Sequence, residues 1–241
     1  MKAKVLPAEN HVVKLHSEAV PYALKRSSRR RTVGLRVDQN GLTVNAPIRT
    51  SKAWLETVLQ QKAEWVLDKL REAEARQVPE QCWEDGVSLP FLGAEICLKV
   101  STGPKRAELA EDVLHASLPA SAGQDRLPAH VIAWYRRQAM ICFTERVAVY
   151  AQRLALPPPQ LRLSNAQSRW GSCSVKGVIS LSWRLIKAPL PVIDYVVAHE
   201  LAHLKHMNHS AAFWRVVGHL YPDYLQVRAT LREQGWRYHV F

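Results

Sequence analysis

The hydropathy pattern of the chain predicts an α+β fold, and three observations carry that assignment. Period-two alternation broken by turn residues dominates the first half. A long run of helical periodicity begins near Pro128. Beyond it, two short apolar strands precede a series of helices. The change of texture places a boundary near residue 120. It separates a β-rich region with one long helix (residues 1–120) from a helix-rich region (residues 121–241).

In "TVGLRVDQNGLTVNAP", Val33, Leu35 and Val37 alternate with polar positions, Asn40-Gly41 supplies a turn, and Leu42 and Val44 resume the alternation. This is a hairpin signature. Ser51 is placed to cap a helix running to about Arg76, with Trp54, Leu55, Val58, Leu59, Trp65, Val66 and Leu70 at helical spacing. A second hairpin is expected in "VSLPFLGAEICLKV", turning at Gly93, with Ala94, Ile96, Leu98 and Val100 on one face. "TGPKRAELAED" reads as loop and "DVLHASL" as one more strand. "AHVIAWYRRQAMICFTERVAVYAQRLAL" is a long amphipathic helix stopped by Pro157, Pro158 and Pro159. "QLRLS" and "VISLSWRLI" are strand-like, Pro189 and Pro191 introduce a strongly apolar helix, and two further helices start near Ser210 and Pro222, the last ended by Gly235. No internal repeat is visible.

With 47% hydrophobic and 22% charged residues, the composition is that of a folded globular chain. No apolar run is long enough to span a bilayer, and the N-terminus lacks the apolar core of a secretion signal. A cytoplasmic location is the expectation. The four cysteines form no CxxC pair, so reduced, inert thiols are expected, Cys173 included. The net charge of +12 is concentrated in "LKRSSRRRTVGLRV". Lys25, Arg26, Arg29, Arg30 and Arg31 there suit the phosphates of a nucleotide or nucleic acid, or else a solvated basic strand edge.

The chemistry concentrates in "YVVAHELAHLKHMNHSAAFW". His199 and His203 lie four residues apart, one turn of helix, so both imidazoles can reach one ion. Glu200 sits beside the first, where a general base must be to take a proton from an activated water. The surrounding Tyr195, Val196, Val197, Ala198, Leu201 and Leu204 would bury the helix, and buried histidines and glutamate are costly without a partner such as zinc. His209 is the preferred third ligand if the helix ends around His206 to Asn208 and Ser210 caps the next one. His206, His219 and Asp223 compete for that position. Asp194 points off the metal face and is expected at the start of the helix or behind the ligands.

"RWGSCSVKGVISLSWRLIKAPLPVIDYVVAHELAHLKHMNHSAAFWRVV" closely resembles the YgjP-like metallopeptidase family, compact zincins distantly similar to the SprT-like metallopeptidases. "RRTVGLRVDQNGLTVNAP" and "AWYRRQAMICFTERV" extend the resemblance over about residues 22–236. It implies a minimal zincin-like catalytic domain behind a small β-containing region. It also implies His199, His203 and His209 as ligands of one zinc ion and Glu200 as the base. By analogy with zincins, "VISLSWRLI" would be an edge strand that pairs with an extended peptide. Arg169 and Trp170 would border the cleft. Arg169, Tyr195, His206 and Asn208 are the candidates to stabilise the oxyanion. The expected activity is peptide-bond hydrolysis on a peptide or protein substrate. Alternatives are nucleoside triphosphate phosphoanhydride hydrolysis, motivated by the basic charge, and a nucleic-acid-associated protease or binding protein.

Overall fold

The computed structural model describes residues 7–38, 40–75, 81–239 and 241, so the expected helix end at Arg76 lies outside the described residues. The chain divides into two compact units, Met1–Pro79 and Glu80–Phe241.

The first unit is a four-stranded sheet under two helices. Strands β1 (Glu9–Leu15), β2 (Glu18–Ser27), β3 (Gly34–Asp38) and β4 (Gly41–Pro47) lie in the order β1-β2-β4-β3. The β3–β4 pair is the expected hairpin. The β1–β2 hairpin was not expected: Val12 is 62% exposed and sits between the inward-facing Val13 and a polar position, which blurs the alternation. Helices α1 (Lys52–Gln61) and α2 (Ala63–Ala75) replace the single long helix, with a break at Lys62. Leu55, Leu59, Ala63, Val66 and Leu67 pack on the sheet residues Leu15, Leu24, Leu42 and Val44. Trp54 and Trp65, which share the apolar spacing, are instead 51% and 42% exposed at the margins of that stripe.

The second unit opens with β5 (Ser88–Phe91), β6 (Ala94–Thr102), β7 (Arg106–Ala110) and β8 (Val113–Leu118), ordered β5-β6-β8-β7. Each sheet is built from two antiparallel hairpins joined by a central parallel pair, so the architecture repeats where the sequence does not. Strand β7 lies in the segment expected to be loop. Ala107 alone of its residues is buried, so its charged flanks conceal a short strand.

The 27-residue helix α3 (Leu127–Arg153) packs its Leu127, Val131 and Trp134 into one core with Leu89, Ile96, Leu98, Leu114 and Ala116 of this sheet. Tyr135 donates a hydrogen bond to Pro90 O at 2.8 Å. The boundary therefore falls between Pro79 and Glu80, earlier than the change of texture near residue 120 suggested. Two sheets with similar alternation read as one β-rich region, and only packing reveals that the second belongs with α3.

A three-stranded sheet follows, with β9 (Leu161–Ser164), β10 (Gly171–Cys173) and β11 (Ile179–Ser182) in the order β10-β11-β9. Strand β11 is thus the centre of the sheet, paired on both sides, and offers no free edge to a peptide. "VISLSWRLI" leaves the strand after Ser182 and becomes a 3₁₀ turn (Trp183–Lys187). The β5–β6 turn docks on that segment. Leu92 N donates to Ile186 O at 2.9 Å and Gly93 N to Lys187 O at 3.1 Å. Gly93 has φ +83, and a Cβ there would stand 2.8 Å from Pro189 Cα, so the approach requires glycine.

Pro189 begins α4 (Leu190–Ala202), followed by α5 (Ala211–Leu220) and α6 (Tyr224–Gln234). Asp194 is tied to α3. Arg146 Nε donates to its Oδ1 at 2.5 Å and Arg146 Nη2 to its Oδ2 at 2.8 Å. Among the described residues no helix is long and apolar enough to cross a membrane.

Two outcomes follow from this packing. A fragment beginning at Glu80 should unfold cooperatively in urea. One beginning at residue 121 should not, because it leaves the α3 face that packs on β5–β8 bare. Asp194→Ala should cost about 1–2 kcal/mol in chemical denaturation, since it removes a charge-assisted bidentate partner from the half-buried Arg146 guanidinium. An unchanged midpoint would mean that the pair does not hold α3 to α4.

Candidate metal centre

Helix α4 is buried on nearly every side: Val192 to Ala198, Glu200, Leu201 and Ala202 are all buried. Its apolar sequence explains the burial, and the burial in turn isolates the polar side chains it carries. The helix ends at Ala202, about a turn earlier than expected, with His203 as its C-cap. A short bend then leads to Ser210, whose Oγ accepts from Phe213 N at 3.4 Å and starts α5. His209 is turned back by this bend.

His199, His203 and His209 each offer a ring nitrogen, and the three atoms lie within 4.8 Å of one another. Nε2 of His199 and Nε2 of His209 are 3.1 Å apart. Two nitrogens held at about 2.0–2.1 Å from one tetrahedral zinc would be separated by about 3.3 Å, so this spacing suits a shared ion. Nδ1 of His203 lies 3.1 Å from His206 O, which accepts its proton and leaves Nε2 with a lone pair. Nδ1 of His199 is buried without a hydrogen-bond partner. Phe213 is fully buried beneath all three imidazoles, with ring centroids 4.6 to 4.9 Å away. Trp214 flanks His199 and His209.

Burial, and secondarily the neighbouring His203 and His209, lowers the His199 pKa to about 4. Burial likewise lowers that of His203. Both rings are therefore neutral at pH 7, as ligation requires. The donor set, its spacing and its protonation fit a divalent ion.

Glu200 lies on the same helix and is buried, with Oε2 unpartnered. Burial pushes its pKa up to about 7, and the positive charge of Arg169 opposes the rise. Its neighbour is β10. A Cβ on Gly171 would lie 2.5 Å from Glu200 Oε1 and 2.6 Å from Cγ, so the carboxylate packs directly on the bare backbone of that residue. The absence of a side chain at Gly171 is what permits this close approach. Burial and the Glu200 charge raise the Cys173 pKa, which keeps that sulfur a thiol.

The other residues singled out from sequence are dispersed. His206 contributes its carbonyl to His203, and neither His219 nor Asp223 belongs to the histidine group; Asp223 is the N-cap of α6. Of the four oxyanion candidates, Tyr195 packs its ring against His199, 6.0 Å between centroids, and Arg169 acts on Glu200 through its charge. The basic run belongs to the first unit. Arg26 is taken up structurally, donating to Ile48 O at 3.2 Å and Thr50 O at 2.7 Å, whereas Lys25, Arg29, Arg30 and Arg31 are exposed.

A family model described as YgjP-like, metallopeptidase domain, matches residues 31–234. The chain belongs to the YgjP-like metallopeptidase family. The family, described as a metallopeptidase domain, implies a divalent ion at such a centre. A curated relative of this YgjP-like chain, the UTP pyrophosphatase of Escherichia coli (strain K12), is 33% identical over 86 residues. That match covers 35% of this chain and 52% of the relative, so the chain spans about half the length of the curated protein it matches. Among solved structures, the metallopeptidase zymogen of Pyrococcus abyssi abylysin is similar at 23% identity. It covers 39% of this chain and 95% of its own, with a TM-score of 0.36.

Gly171→Ala should displace the Glu200 carboxylate, because the added Cβ would stand 2.5 to 2.7 Å from its Oε1, Cγ and Cδ. Turnover should fall by about 10²-fold with metal content unchanged. Metal analysis beside kinetics checks this, and wild-type turnover in the variant would show that the close approach is dispensable.

Proposed function

We propose that the chain is a zinc-dependent hydrolase in which His199, His203 and His209 hold the ion, Glu200 moves the proton, and the bond cut is a peptide bond. The observation that supports this best is the convergence of three imidazole nitrogens beside a buried carboxylate with an unpartnered oxygen. When bound, zinc lowers the pKa of a water to about 7 and polarises the oxygen under attack.

Everything else is done by the chain. His203 is held in one tautomer by His206 O, and Phe213 and Trp214 fix the planes of the rings. Glu200 Oε2 accepts the proton of the attacking water. With its pKa raised to about 7 by burial, the same carboxyl can return that proton to the leaving amine. The Arg169 charge opposes that rise and so favours the ionised carboxylate.

A second reading keeps the same residues and changes the bond to a phosphoanhydride of a nucleoside triphosphate. Two observations favour it: the curated relative is named a UTP pyrophosphatase, and the chain carries a net charge of +12. The exposed Arg29, Arg30 and Arg31 support a third, nucleic-acid-associated reading, for which salt-sensitive DNA binding lost on neutralising them is the test.

Purified protein should hold about one zinc, lost on chelation and in His199→Ala, His203→Ala or His209→Ala. Glu200→Gln should retain zinc and lose about 10²–10⁴-fold in turnover on whichever substrate is cleaved. Assaying wild-type and Glu200→Gln protein in parallel on peptide libraries and nucleoside triphosphates separates the readings. Cleavage of triphosphates alone would remove the peptidase reading.

A further inference from the structure

Beside the histidine cluster lies an open groove of about 440 Å³, within the range of small-molecule sites. Trp170, Tyr195, Leu225 and Leu231 form apolar walls, and Arg228 and Arg232 of α6 supply the charge. Among the described residues, none that lines it is a carboxylate. The two arginines are four residues apart and share a face of α6, where like charges repel and weaken the helix. Both are exposed, and neither guanidinium has a carboxylate partner among the described residues. A helix that only needed to pack would not place two unneutralised guanidinium groups at the mouth of an aromatic groove.

The groove is joined to the candidate metal centre by two contacts. Tyr195, one turn before His199 on α4, lines the groove and meets the His199 ring at 6.0 Å. Arg228 lies over the Trp214 ring, 4.5 Å from its centroid. Trp214 in turn stacks on His209 at 5.8 Å and on Tyr224 at 5.4 Å. The stack fixes one guanidinium a single aromatic ring away from the proposed ligands. It also leaves the hydrogen-bonding edge of that guanidinium free for a bidentate acceptor.

We infer that Arg228 and Arg232 form an anion-reading subsite, selecting substrates that carry a phosphate or carboxylate close to the bond being hydrolysed. Trp170 and Tyr195 supply the apolar wall against which the body of that substrate rests. The inference rests on the hydrolase reading of the adjacent histidines and Glu200. It names what the site accepts rather than how the bond is cut.

The test is direct binding to the zinc-loaded Glu200→Gln protein of residues 1–241, in which turnover is blocked. The probes are UTP and two otherwise identical peptides carrying Glu or Gln. At least one anionic probe should bind more tightly than the Gln peptide. Replacing both arginines, Arg228→Gln with Arg232→Gln, should weaken that probe at least tenfold and flatten its salt dependence, with zinc content and circular dichroism unchanged. The Gln peptide should be unaffected. Arg228→Lys with Arg232→Lys should recover part of the loss, which identifies charge as the cause. Loss of UTP binding identifies a phosphate as the anion read, and loss of Glu-peptide binding a carboxylate.

Equal weakening of charged and neutral probes, or no weakening of either anion, overturns the subsite. A wild-type protein that binds zinc and the anion through these arginines, yet cleaves neither probe class, overturns the hydrolase reading and leaves the subsite standing.

Discussion

The burial of α4 is the constraint on which the rest of the second unit depends. A helix with so few polar positions has to be enclosed, yet it carries Asp194 and Glu200 into the interior and holds His199 and its C-cap His203 half-buried. Each of these would cost several kcal/mol if left without a partner. The surrounding elements can be understood as answers to that cost. Helix α3 brings Arg146 to Asp194, the bend after α4 brings a carbonyl to His203, and α5 closes the cluster from below with Phe213. Two atoms remain unanswered, His199 Nδ1 and Glu200 Oε2, and both are at the cluster itself. His239 Nδ1 and, in the first unit, the Tyr22 hydroxyl are also buried without a partner among the described residues, so what distinguishes this place is that its two atoms lie beside three convergent imidazoles.

The same enclosure sets the electrostatics. Withdrawing Glu200 from water raises its pKa to about 7, and withdrawing His199 lowers its pKa to about 4. One desolvated environment thus keeps the imidazole neutral and makes the carboxyl able to gain or lose a proton near neutral pH. Gly171 is part of this arrangement, because only a residue without a side chain lets β10 cover the carboxylate so closely. The open side is left to α6 and its two arginines, which are exposed where the other cluster neighbours are enclosed.

Much of the site was legible in advance because its information is local. The four-residue spacing of His199 and His203 and the position of Glu200 follow from helix geometry alone. The Ser210 cap and the Pro189 start are short-range signals of the same kind. What failed were readings that depended on neighbours distant in sequence. "VISLSWRLI" has the alternation of any half-buried strand, but alternation does not say whether a strand is central or at the edge. The partners of β11 are β9 and β10, and both of its sides are paired. Trp54 and Trp65 shared the helical spacing of their apolar neighbours but flank the stripe, because the break at Lys62 and the width of the sheet decide which positions are covered.

Local sequence, then, determined the α+β class, most of the helices, the hairpins around Asn40-Gly41 and Gly93, and the one-turn spacing that brings His199 and His203 together beside Glu200. These depend on periods of two and 3.6 residues and on turn residues, interactions that span a few positions. Tertiary structure alone decided that β5–β8 belong with α3, that Gly171 is the floor under Glu200, and that Arg228 and Arg232 share a groove with Tyr195, whose ring meets His199. Those facts depend on which surfaces meet after the chain has folded back over scores of residues, and no periodicity within a segment records what will pack against it.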